Sequence, residues 1–111
     1  VFDPTVLVAV AGGDAADERH ILKDFRRAAV EDIALLRLAV ENSDMAQLTI
    51  AAHRIKGASA MVGAIGLAAV GERLDKASRA NDWTTVLGNM GAFDKEWEKL
   101  NAFLMNVIEQ T

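Results

Sequence analysis

The sequence predicts an all-α fold: an antiparallel up-and-down four-helix bundle with a short additional N-terminal helix. Three observations predict it. Alanine and leucine dominate, tyrosine is absent and proline occurs once, and no segment alternates apolar and polar residues with the period of two that a half-buried strand needs. Apolar residues recur instead at steps of three and four, the spacing of one buried helical stripe. The breaks between these segments are short, and short connections make successive helices antiparallel neighbours. At 111 residues, 51% hydrophobic and 25% charged, the chain fits a single domain spanning residues 1–111. A domain of that size buries a core without staples, so the lack of cysteine carries no cost in stability.

The first helix runs from Pro4 to about Val10, with Asp3 as its cap and Pro4 at the first helical position, where a missing N–H costs nothing. Gly12 and Gly13 stop it. Asp14 caps a long second helix, and Asp17 and Glu18 sit in its first turn, where the helix dipole favours negative charge. Leu22, Phe25, Ala29, Leu36 and Val40, joined by Ile21, Ala28 and Ile33, form its buried stripe. Lys23, Arg26, Arg27, Glu31 and Arg37 occupy the other face. Asn42-Ser43-Asp44 is the turn, with Ser43 as the next cap.

A third helix follows from about Asp44 to Val62, punctuated by Gly63 and Gly66. The fourth spans about Gly66 to Ala80, with Leu67, Val70, Leu74 and Ala77 inward. Asp82 caps a fifth from Trp83 to about Glu109, whose stripe is Phe93, Trp97, Leu100, Leu104 and Ile108. Gly88 and Gly91 each cost about 1 kcal/mol of helix propensity there and point to a bend. The short first helix is expected to lie over the bundle as a lid.

Charge and composition exclude several functions. A net charge of −4 disfavours tracking a phosphate backbone, so no nucleic-acid partner is expected. The longest uncharged stretch, GASAMVGAIGLAAVG, is glycine-broken and too short to span a bilayer, so no membrane contact is expected of this domain. The chain opens VFDPT, with neither the basic start and apolar run of a signal peptide nor an initiator methionine. A domain of a longer protein is therefore expected.

The chemistry concentrates in AAHRIKGASAMVGA, residues 51–64. At about 100° per residue, Leu48, Ala51, Ile55, Ala58 and Val62 cluster nearly opposite His53 and make the core face. His53 shares its side with Ala46, Thr49, Lys56, Gly57 and Ala60, and so points to solvent. Lys56 and Gly57 lie three and four positions on, beside it on the same face. An ammonium 4 Å from an anion on the ring is worth about 4 kcal/mol at an effective dielectric of 20. Gly57 weakens a mid-helix position, and its missing side chain lets a bulky group approach the ring. The small residues around it also fit tight helix packing.

An exposed imidazole is a nucleophile near neutral pH and can carry a phosphoryl group. Nucleophilic hydrolysis needs a base, an orienting group and an oxyanion hole in a cleft, which a convex helix face lacks. A metal site needs a second ligand at helical spacing, and lysine and glycine stand there. His20 reads as a surface residue. With no phosphate-binding GxxxxGK[ST] or other nucleotide loop, the domain can accept and pass a phosphoryl group but cannot draw one from ATP unaided. The residues alone leave open a purely structural or interaction bundle.

His53, Lys56 and Gly57 form H-x-x-K-G, and the chain resembles the histidine-containing phosphotransfer (HPt) domains, the carriers of bacterial and fungal phosphorelays. FDPTVL followed by GGD resembles the family's opening, and AAHRIKGASAMVGAIGLAAVGERLDKASRANDW is similar to its central block. The phospho-accepting domain of chemotaxis-type kinases, a related bundle, is less similar after the glycine. Ala58 and Asn81 depart from the serine and glycine common in the family.

The resemblance implies that His53 is phosphorylated on Nε2, taking the group from a receiver-domain aspartate and giving it to the aspartate of a response regulator. Lys56 would neutralise phosphoryl charge, and Gly57 would admit the receiver's active site. Ala46, Thr49, Arg54 and Ala60 would line the binding face, and Arg79 matches a position where the family often keeps a basic residue. The domain would hold no cofactor, magnesium belonging to the receiver, and would not itself be an enzyme. It would be a monomer and cytoplasmic, most simply as the C-terminal module of a bacterial hybrid sensor histidine kinase.

Overall fold

The computed structural model describes the chain from Asp3 to Glu109. Its elements are α1 (Pro4–Ala11), α2 (Ala15–Glu41), α3 (Met45–Val62), α4 (Ile65–Arg79) and α5 (Trp83–Glu109). No strand occurs among the described residues, and no helix there is long and apolar enough to cross a membrane.

Short polar side chains set most of the starts. Asp3 Oδ1 accepts from the Thr5 hydroxyl at 2.6 Å and the Thr5 N–H at 3.0 Å, and these bonds hold its carboxyl below the ordinary carboxylate range. Asp14 Oδ1 accepts from the N–H groups of Ala16 and Asp17. Asp82 accepts from the Thr85 N–H at 3.1 Å and the Thr85 hydroxyl at 2.6 Å. The cap of α3 is Asp44, which accepts from the Gln47 N–H at 3.1 Å, and not Ser43. An N-cap needs an extended backbone; Asp44 has one, whereas Ser43 turns through the left-handed region at φ 51°. Asn81 takes the same region at φ 56°. Asparagine suits the position, since it tolerates this conformation best after glycine.

The helices pack in a ring: α3 lies between α2 and α4, α5 packs on α4, and α2 closes against α5. Leu22, Leu36, Leu48, Leu74, Val86, Phe93 and Leu104 fill the centre at 2% exposure or less. Each such side chain contributes about 1.5–3 kcal/mol through burial. Of the expected stripes, Ala28 is exposed, and Ile21, Val40, Ala58, Trp97 and Ile108 are half-buried. Ala39, Ala52 and Val86 join the core in addition. α5 continues as one helix through Gly88 and Gly91.

The lid position of α1, against α2 and α3, depends on Gly63. The Asp3 N–H donates to the Gly63 carbonyl at 2.7 Å. Gly63 has φ 81°, and a Cβ built there would strike the Asp3 carbonyl oxygen. Gly63→Ala should therefore destabilise the fold by at least about 1–2 kcal/mol, the usual cost of a left-handed residue with a side chain. Urea unfolding of the variant checks this.

Two carboxylates lie among the core residues, Asp32 at 5% exposure and Asp75 at 4%. Burial raises the pKa of Asp32 above the ordinary value, opposed by Arg54 and reinforced by Glu31. For a carboxyl raised in the folded state, the native protein binds the proton more readily than the unfolded chain. Its contribution to stability is then most favourable below the unfolded pKa and falls as pH rises through the folded value. The stability difference between Asp32→Asn and wild type should accordingly grow in the variant's favour as pH rises from about 3 through the range just above ordinary carboxylate titration. Paired denaturation curves at several pH values measure it.

Candidate functional site

Mid-way along α3, Ala52 and Ile55 are buried at 0% and 2% and hold the helix against its neighbours. His53 points the other way, with 61% of its side chain exposed. Its Nδ1 lies 3.4 Å from Oδ2 of Asp75 on α4. The Lys56 ammonium lies 3.7 Å from the same oxygen, and the Arg79 Nε donates to Oδ1 at 2.9 Å. One buried carboxylate thus gathers three groups from two helices, and the sequence reading did not identify it.

Gly71 makes this meeting possible. A Cβ there would sit 3.1 Å from the Lys56 Cα and 3.2 Å from its N, so the backbones of α3 and α4 approach closely at this level. Asp75 is one turn further along the same face of α4, which carries it to the level of His53. Its burial needs compensating charge, and Lys56 and Arg79 supply it. A proton on His53 Nδ1 would donate to this carboxylate, and in that tautomer Nε2 is the ring nitrogen with the free lone pair.

The remaining expected residues surround this centre. Gly57 lies in open space, with nothing within 4 Å of a Cβ built on it, and Ala46 and Ala60 are exposed. Thr49 is half-buried, and its hydroxyl donates to the Met45 carbonyl of its own helix at 3.0 Å. Arg54 belongs to the opposite flank of α3, its Nε 3.3 Å from Oδ1 of Asp32 on α2. His20 pairs with Asp24 across one helical turn, 76% exposed. Among the described residues no group of three or more His, Cys, Asp or Glu side chains is placed to hold a metal ion.

A family model, the Hpt domain, matches residues 20–103, a span that includes His53, Lys56, Gly57, Asp75 and Arg79. The chain belongs to the Hpt domain family. Hpt domains are phosphocarriers, not enzymes, and interact with receiver domains in phosphorelays. The fold is similar to the crystal structure of histidine-containing phosphotransfer protein B from Pseudomonas aeruginosa PAO1, with a TM-score of 0.89. That likeness covers 99% of this chain and 96% of the other at 20% identity. No curated protein matches this Hpt domain by sequence.

Two outcomes follow from the geometry. Nitrogen NMR of the free Hpt domain should find neutral His53 as the Nδ1–H tautomer, and Asp75→Ala should shift the population towards Nε2–H. Gly57→Ala should raise stability by about 0.5–1 kcal/mol, because an unobstructed mid-helix glycine is a cost to the fold; thermal unfolding checks it.

Proposed function

We propose that this Hpt domain takes a phosphoryl group from a receiver-domain aspartate onto Nε2 of His53 and passes it to the aspartate of a response regulator. The arrangement of Asp75 on Nδ1 is the observation that carries the reading. The Nε2 lone pair attacks the phosphorus of an aspartyl phosphate; the P–N bond forms, the acyl P–O bond breaks, and the receiver carboxylate leaves with the electron pair. The ring keeps its Nδ1 proton and becomes cationic, and the Asp75 carboxylate opposite stabilises that charge. In the onward step the positive ring is the better leaving group.

Lys56 and Arg79 act on the phosphoryl oxygens, which take up charge in such transfers. Both are tethered to Asp75 in the resting state, so the approaching phosphoryl group competes for cations already in place. Gly57, Ala46, Thr49 and Ala60 keep the helix surface low where the receiver closes over the ring. Magnesium belongs to the receiver. The domain acts as a monomer, in the cytoplasm, and the resemblance carries its setting as the C-terminal module of a hybrid sensor kinase; a receiver domain encoded just upstream would support that setting.

Incubation with a labelled phosphorylated receiver and, separately, with a kinase core tests the reading. His53→Gln should keep its helical circular dichroism and take up no label, and Lys56→Ala should slow transfer by about ten- to a hundredfold. Label retained by His53→Gln at the wild-type rate, or direct labelling by the kinase core alone, would contradict it.

A further inference from the structure

The two flanks of α3 repeat one arrangement. On the α4 side, Arg79 Nε donates to buried Asp75 at 2.9 Å; on the α2 side, Arg54 forms an ion pair with buried Asp32, its Nε 3.3 Å from Oδ1. Both arginine side chains remain mostly exposed, at 58% and 61%. A guanidinium anchored through Nε keeps its two η nitrogens, a planar fork that matches a carboxylate. The Arg79 fork shares Asp75 with His53 and Lys56 and so belongs to the phosphoryl centre. The Arg54 fork does not. Arg54 lies about 100° around the helix from His53 and Lys56 about 60° on the other side, so the two cations bracket the ring.

Asp32 is costly where it stands. Its burial outweighs the attraction of Arg54, and Glu31 beside it adds repulsion. The partner that this carboxylate holds across the helix pair is Arg54, with Nε 3.3 Å from Oδ1. We propose that Asp32 is a positioning residue for receiver docking: it fixes the Arg54 guanidinium at the rim of the His53 face, where the outward fork binds a carboxylate on the receiver surface. The proposal rests on the phosphorelay reading for the identity of the partner. A receiver fits it chemically, because a protein that carries phosphoryl groups on aspartate with magnesium presents acidic side chains around its active site.

Calorimetric titration tests it, using the receiver domain that binds the wild-type protein most tightly among those of the source organism. Transfer to and from that receiver is measured in parallel at saturating receiver. Arg54→Ala should weaken binding by about tenfold, the effect of one charge-assisted hydrogen-bonded contact. Asp32→Asn should weaken binding by about threefold, since the fork survives but is no longer held. The double variant should bind no more weakly than Arg54→Ala, because Asp32 acts only through Arg54. The double variant also has no unpaired buried carboxylate, so it reports on docking even where Arg54→Ala unfolds. Unchanged affinity in both Arg54 variants, additive losses in the double variant, or a fall in the saturated rate at constant affinity would each overturn the proposal. Failure of the phosphorelay reading shows separately, as a wild-type protein that binds the receiver and exchanges no phosphoryl group with it.

Discussion

A carboxylate taken out of water must be met by charge or hydrogen bonds, and in this protein that requirement organises the surface. Asp75 is sealed between α3 and α4, and its two oxygens draw in Arg79 from its own helix and His53 and Lys56 from the next. None of the three is deeply buried, so each retains a face towards solvent while one end is fixed. Without the anchor, His53 would be a freely rotating surface imidazole with either nitrogen protonated. With it, Nδ1 is turned towards the carboxylate and Nε2 is the outward atom. The anchor in turn depends on Gly71, whose missing side chain allows α4 to lie against the backbone of Lys56.

The α3 helix serves two purposes through a division of its circumference. Leu48, Ala51, Ala52, Ile55 and Val62 are buried and fix the helix in the bundle, so the exposed arc is held on a rigid element and not on a loop. Rigid placement is what phosphoryl transfer asks of a protein, since the chemistry is largely positioning and electrostatics. Gly57, in contrast, contributes nothing to packing. Its open surroundings are consistent with a residue kept for what must approach the ring.

Much of this was legible in the sequence, because helix stripes and Asx caps are local signals. The five helices, the caps at Asp3, Asp14 and Asp82, the outward His53 and its neighbours Lys56 and Gly57 all follow from spacing. Errors arose where the deciding interaction is backbone conformation or a tertiary contact. Ser43 has the composition of a cap but a left-handed backbone that disqualifies it. Asp32 and Asp75 carry no inward signal of their own, because periodicity treats a charged residue beside a stripe as its polar edge. Their burial depends on cations delivered by α3, and no helix declares that alone. Gly71, Asp75 and Ser78 do recur at steps of four and three on the buried side of α4, the one sequence signal that could have placed Asp75 inward. The resemblance to phosphotransfer domains supplied Arg79, and the structure supplied its partner.

The central claim is that Asp75 leaves Nε2 of His53 as the atom that bonds phosphorus. Phosphorylating the uniformly nitrogen-labelled protein with a phosphorylated receiver and recording phosphorus–nitrogen couplings tests it most directly. The account predicts a single phosphohistidine, at His53, with the coupling to Nε2 and the Nδ1 proton retained. Phosphorus bonded to Nδ1, or carried by any other residue, would contradict it.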